Sequence, residues 1–131
     1  MDLAPLVAAI RAAAPEPVAI YLFGSAARGD CTAKSDVDLA VLPRRPLGGV
    51  ERFELQERLA GILGRDVDLV DLRTASTVMV AQILGDGRLL FEGDRTARAL
   101  FEAIALADYT RLNEERRHIL DDVRRLGRIH G

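Results

Sequence analysis

The sequence predicts an α/β (α+β) fold: a small mixed β-sheet of about four strands packed with helices, followed by one long C-terminal helix. Three observations predict it. Short β-rich apolar runs recur within residues 18–24, 36–42, 66–72 and 88–93, three of them closed by Gly or Pro. Between them lie segments whose apolar residues recur at helical spacing. From Asp94 onward strand signals stop, and charged residues surround an apolar stripe.

The elements follow in order. "LAPLVAAIRAAA" reads as a first helix, stopped by "PEP" at residues 15–17. "VAIYLFG" is apolar and ends at Gly24, which marks a buried strand. "SAARGDCTAKS" is polar and aperiodic, so it reads as a loop with room for one helical turn at its start. "DVDLAVL" is a second strand, ended by Pro43. In "GGVERFELQERLAGILG" the apolar residues Val50, Phe53, Leu55, Leu59, Ile62 and Leu63 have helical spacing, and Gly64 is the C-terminal stop. "DVDLVDL" is a third strand. Thr74 is the expected cap of a helix through "ASTVMVAQILG", and "RLLFEG" is a short fourth strand at a sheet edge. A long helix then runs from an Asp94 cap to about Leu126, with Leu112, Ile119, Leu120, Val123 and Leu126 as its stripe. No repeat or linker divides the chain, and its 131 residues suit a single domain over 1–131.

Composition narrows the function. A net charge of −2 argues against a dedicated nucleic-acid binder, which shows a strong basic excess. Arg116, Arg117, Arg124, Arg125 and Arg128 do cluster on the last helix. Glu114, Glu115, Asp121 and Asp122 are interleaved with them, so a solvated, salt-bridged face is expected. The one cysteine, Cys31, leaves no disulfide framework or cysteine zinc site, and no Cys-His pairing marks it as a nucleophile. The N-terminal apolar stretch is short and broken by Pro5 and Arg11, unlike a signal peptide. No apolar run has the roughly 18 residues of a membrane span. A cytoplasmic protein is expected.

The chemistry concentrates in acids. Side chains alternate along a strand, so Asp36 and Asp38 share one face while Val37, Leu39 and Val41 take the other. Two neighbouring carboxylates repel and raise each other's pKa, a conflict that a divalent cation removes. Mg²⁺ favours a few carboxylates with water and substrate phosphates. Asp66 and Asp68 likewise share a face of the third strand. If that strand lies near the second, a third carboxylate joins, and three carboxylates can hold two metal ions for displacement at phosphorus. Gly24-Ser25 leaves the first strand where glycine lets backbone approach a ligand and where N–H groups suit phosphate. "GSAARG" matches Gly-x4-Gly of a P-loop, but Asp30 stands where that motif needs Lys, which rejects a P-loop ATPase.

Gly24-Ser25, ten intervening residues and Asp36-Val37-Asp38 together resemble the Gly-Ser-x10-Asp-x-Asp signature of the DNA polymerase β-like nucleotidyltransferase superfamily. The short length and "VDLVDL" are most similar to its minimal nucleotidyltransferase (MNT) group, and within it to the MntA-type antitoxins of HEPN/MNT toxin–antitoxin systems. The specific part of the resemblance covers about residues 18–72; the last helix resembles that group more loosely. The resemblance implies the polymerase β-like fold, with a catalytic core at about 16–93 and a C-terminal helical segment at about 94–127. It implies that Gly24 and Ser25 hold the β- and γ-phosphates of ATP, with Arg28 and Lys34 reaching the triphosphate. Asp36 and Asp38 would bind two Mg²⁺ ions. Asp68 would be the third carboxylate, binding metal and deprotonating the attacking hydroxyl, with Asp66 as its rival. Asp71, on the opposite face, would be structural, and Ser35 would stabilise the loop-to-strand turn.

The implied reaction moves AMP from ATP to a tyrosine hydroxyl of a HEPN ribonuclease toxin encoded nearby, releasing pyrophosphate. The chain leaves little room for an acceptor-binding domain, so a partner protein fits as acceptor, in a homo- or hetero-oligomer. Three alternatives stand beside this: an antitoxin acting by contact alone, a small-molecule nucleotidyltransferase, and an RNA-directed transferase, which the charge disfavours.

Overall fold

The computed structural model describes residues 1–30, 32 and 35–130, the last three by backbone alone. The elements run α1 (Ala4–Ala13), β1 (Ala19–Phe23), α2 (Gly24–Arg28), β2 (Val37–Leu42), α3 (Gly49–Leu63), β3 (Val67–Asp71), α4 (Thr77–Asp86), β4 (Arg88–Glu92) and α5 (Arg95–His130). Local chemistry explains most boundaries. Pro5 sits in the first turn of α1, where its missing N–H costs nothing. Gly64 takes a left-handed φ of 74° to end α3 and donates its N–H to the Ala60 carbonyl. Asp94 caps α5 by accepting the Ala97 N–H at 3.0 Å.

The helical turn expected after β1 is a five-residue helix, α2, closed by Gly29 at φ 80°. One detail differs from the sequence reading. The cap of α4 is Ser76, whose Oγ accepts the Met79 N–H at 3.1 Å, not Thr74. Thr74 is occupied upstream: its N–H and hydroxyl both turn back to the Asp71 carbonyl. That turn consumes residues 72–75 before a helix can start.

The sheet order is β3-β2-β1-β4. β1 pairs antiparallel with both β2 and β4, while β2 and β3 are parallel, joined through α3. The sheet is therefore mixed, and "RLLFEG" forms an edge strand as expected. One face carries Ile20, Leu22, Val37, Leu39, Val41 and Leu69 against Leu6 and Ile10 of α1 and Leu55 and Leu59 of α3. The other carries Tyr21, Ala40 and Leu42 against Val80 and Ile83 of α4 and Phe101 of α5. Core burial on both faces of a central strand is the main source of stability, at about 25 cal/mol per Å² of apolar area.

The β3 edge is covered from the side. The Leu69 N–H donates to Gln56 Oε1 at 2.9 Å, and the Leu69 carbonyl accepts from Arg52 at 3.1 Å. Side chains of α3 thus occupy backbone groups that would otherwise invite another strand. Across the sheet, the Tyr21 hydroxyl donates to Glu102 Oε1 at 2.7 Å, and Arg98 bridges Glu102 and Glu92. This network fastens the first third of α5 to β1 and β4. Among the described residues no helix is long and apolar enough to cross a membrane.

Candidate active site

The end of β1 and the starts of β2 and β3 meet at one corner of the sheet, because β2 and β3 run parallel and β1 runs against them. Phe23 is paired with Asp38, so the chain turns through Gly24 directly beside that acid. Asp38 is in turn the direct register partner of Asp68. Parity along β2 and β3 puts both on the α4–α5 side of the sheet, where helix cover stops short. Asp68 is exposed and Asp38 half-buried. Asp36 lies just before β2 and is also exposed.

Gly24 has φ +69°, and a β-carbon there would lie 2.1 Å from Asp38 Oδ2. Two constraints therefore converge on glycine: a left-handed backbone and a carboxylate in the space a side chain would fill. Ser25 follows on α2 and is half-buried. Arg28 ends α2, exposed, with Nε 3.5 Å from Asp30 Oδ2. Lys34 and Cys31 lie outside the described residues.

The electrostatics are those of an unneutralised anionic cluster. Burial raises the Asp38 pKa above the ordinary carboxylate value; the Asp68 and Asp36 charges push it further, and Arg28 partly offsets them. Among the described residues, the carboxylates of Asp36, Asp38 and Asp68 make no ion pair or hydrogen bond, and no three acids converge into a ready-made metal cage. Like charges held on neighbouring strands are expected to stay apart until a cation neutralises them. The donor set, three carboxylate side chains open to water and phosphate, fits a hard divalent ion such as Mg²⁺.

The other acids have different surroundings. The Asp66 carbonyl accepts the Val37 N–H at 3.0 Å, and its exposed side chain comes before β3 begins. Asp71 is 2 % exposed, and both its oxygens are used: Oδ2 accepts the Leu47 N–H at 2.8 Å and Oδ1 the Arg73 N–H at 2.9 Å. It ties the segment entering α3 to the turn leaving β3. Ser35 Oγ accepts the Thr32 N–H at 3.0 Å, within the turn before β2.

Sequence reasoning missed the surroundings of Asp68. A shallow depression beside it is lined by Arg52, Val70, Thr74 and Ala75. Arg52 lies 16 residues before Asp68 on a helix, and no motif announces that approach. Ala75 also lines a trough of about 140 Å³ between the β3–α4 turn and α5, with Phe101, Ile104 and Asp108 on its far wall. A larger concavity, about 650 Å³, lies between α1 and β4 around Arg11, Arg44 and Phe91, and none of the candidate acids lines it.

A polymerase β nucleotidyltransferase family model matches residues 7–96, a span that includes all of these acids. This chain belongs to that nucleotidyltransferase family. It is 43 % identical over 109 residues to protein adenylyltransferase MntA of Shewanella oneidensis, covering 83 % of this chain and 78 % of that protein. Among solved structures, it is similar to a toxin–antitoxin crystal structure with AMP-PNP: TM-score 0.85, 39 % identity, 94 % of this chain and 98 % of that one. It is also similar to the structure of tri-AMPylated S. oneidensis HEPN toxin in complex with MNT antitoxin, with TM-score 0.76, 39 % identity, and 91 % and 92 % covered.

Proposed function

We propose that this chain is a protein adenylyltransferase that moves AMP from ATP to a tyrosine hydroxyl of a HEPN-type ribonuclease toxin, releasing pyrophosphate and silencing the toxin. The observation that carries this reading is the lateral pairing of Asp38 with Asp68 at the corner where Gly24 meets the Asp38 carboxylate. The adenylyltransferase and the toxin complexes among its relatives supply the donor and the acceptor class.

Each residue then has a task. Asp36, Asp38 and Asp68 would hold two Mg²⁺ ions, which when bound offset charge on the phosphates and on the attacking and leaving oxygens. The Gly24-Ser25 step would cradle the β- and γ-phosphates, with Arg28 and Lys34 adding positive charge at the triphosphate. Asp68 would accept the tyrosine proton as its oxygen bonds to the α-phosphorus and the bond to the pyrophosphate oxygen breaks. Asp68 is preferred over Asp66 because it stands opposite Asp38 and, unlike Asp66, acts on the Asp38 charge. An ATP donor and a ribonuclease target agree with a cytoplasmic location.

The test is intact mass spectrometry of the neighbouring HEPN protein after incubation with this chain, ATP and Mg²⁺, beside an Asp36→Asn control. AMP-sized additions with the wild type alone are expected. An unmodified toxin that is still neutralised would replace this reading with an antitoxin acting by contact.

A further inference from the structure

Among the described residues, α5 from 114 to 127 leaves its side chains exposed, with no core of its own chain against them. At about 1.5 Å per residue the 36-residue helix is about 54 Å long. Phe101 and Ala105 of its first third pack on α4. From residue 114 to 127 every residue is exposed. Within that stretch Ile119, Leu120, Val123 and Leu126 are 54–62 % exposed. Leu112, Arg116, Ile119, Val123 and Leu126 alternate at steps of three and four, which places them along one stripe.

We propose that this stripe is the docking surface for the HEPN toxin, received as an apolar helical face with an acidic side chain opposite Arg116. The proposal rests on the toxin-directed reading above for the partner's identity. Three observations support it. Four large apolar side chains exposed along one helix, rimmed by charged residues, form the kind of surface that marks a protein interface. Arg116 interrupts that row: a parallel second copy would set it against its own like charge, whereas a different partner can supply the acid. Finally, only 6 % of this chain, about eight residues, lacks a counterpart in the toxin–antitoxin structure with AMP-PNP, so most of α5 has one there.

The test compares wild type with an Ile119→Glu/Val123→Glu variant. Both positions are exposed and Glu suits a helix, so circular dichroism should not change. Affinity for the HEPN protein encoded beside this chain is measured by calorimetry. Mg²⁺-dependent thermal stabilisation by AMP-PNP reports the nucleotide site independently. Expected are a loss of toxin affinity of at least thirtyfold and unchanged AMP-PNP stabilisation; Arg116→Glu should weaken toxin binding on its own. Toxin affinity equal to wild type overturns the proposal, as does a wild type that does not bind toxin. A wild-type homodimer that the variant dissolves while toxin affinity stays intact also overturns it. Toxin bound through this stripe but never adenylylated would overturn the enzymatic reading alone.

Discussion

Asp38 Oδ2 occupies the space that a side chain on Gly24 would need: a β-carbon built there comes within 2.1 Å of it. The glycine and the acid are fourteen positions apart, and the antiparallel pairing of β1 with β2 brings them together. Gly24→Ala should therefore displace the carboxylate. A misplacement of about 1 Å can cost about a hundredfold in rate, and the left-handed φ adds about 1–2 kcal/mol of instability. The checks are AMP transfer rate and thermal melting. A variant that transfers at the wild-type rate would sever the link between this contact and catalysis.

Asp38→Asn should abolish transfer and leave the ion-free protein at least as stable as wild type at pH 7. The Asp38 pKa is raised by folding, so its charged form opposes folding at neutral pH. That penalty fades as pH falls through the raised value and past the ordinary 3.8, where both proteins are neutral at this position. Urea unfolding of the two proteins should converge on acidification. With Mg²⁺ and AMP-PNP present the order should reverse, since only wild type gains from ligand.

Asp68 and Asp71 should separate chemistry from structure within one strand. Asp68→Asn should fold normally and lose at least about a hundredfold in transfer rate, the scale of losing one transition-state contact. Asp71→Ala removes the acceptor of the part-buried Leu47 and Arg73 N–H groups, at a cost of about 1–3 kcal/mol. Chemical denaturation alongside the mass assay distinguishes them. A stable Asp71→Ala protein would count against the tie between α3 and the β3–α4 turn.

Tyr21→Phe should cost about 1–2 kcal/mol by leaving Glu102 without its hydroxyl donor. Burial first, then Glu102, raises the Tyr21 pKa well above the usual tyrosine value. The wild-type advantage should therefore hold up to about pH 10 and shrink above it, as the unfolded chain ionises first. Equal melting of the two proteins at pH 7 would show that the Tyr21 hydroxyl does not help to fasten α5 to β1.

The candidate acids were legible because a strand repeats every two residues. Asp36 and Asp38 sit one position out of phase with Val37, Leu39 and Val41, and that phase shift shows in the sequence alone. The sense of the sheet was not legible in the same way. Nothing in "DVDLVDL" states that β3 runs parallel to β2 in the register that sets Asp68 against Asp38. Nor does local sequence show that Gln56 and Arg52 reach the Leu69 backbone, or that Tyr21 finds Glu102, 81 positions away. These are products of tertiary packing. The Thr74 expectation failed for a related reason: either Thr74 or Ser76 can cap a helix, and the Asp71 turn decided between them.

The edge position of β3 carries a final consequence. Asp68 faces solvent on the outermost strand, and α3 covers the edge without covering that face. Among the described residues nothing must swing aside before a bulky acceptor reaches it. With Asp68 as the third acid, an approach this open among the described residues would tie the pace of turnover to the arrival and departure of a large partner, and leave the choice of acceptor to surfaces far from the chemistry.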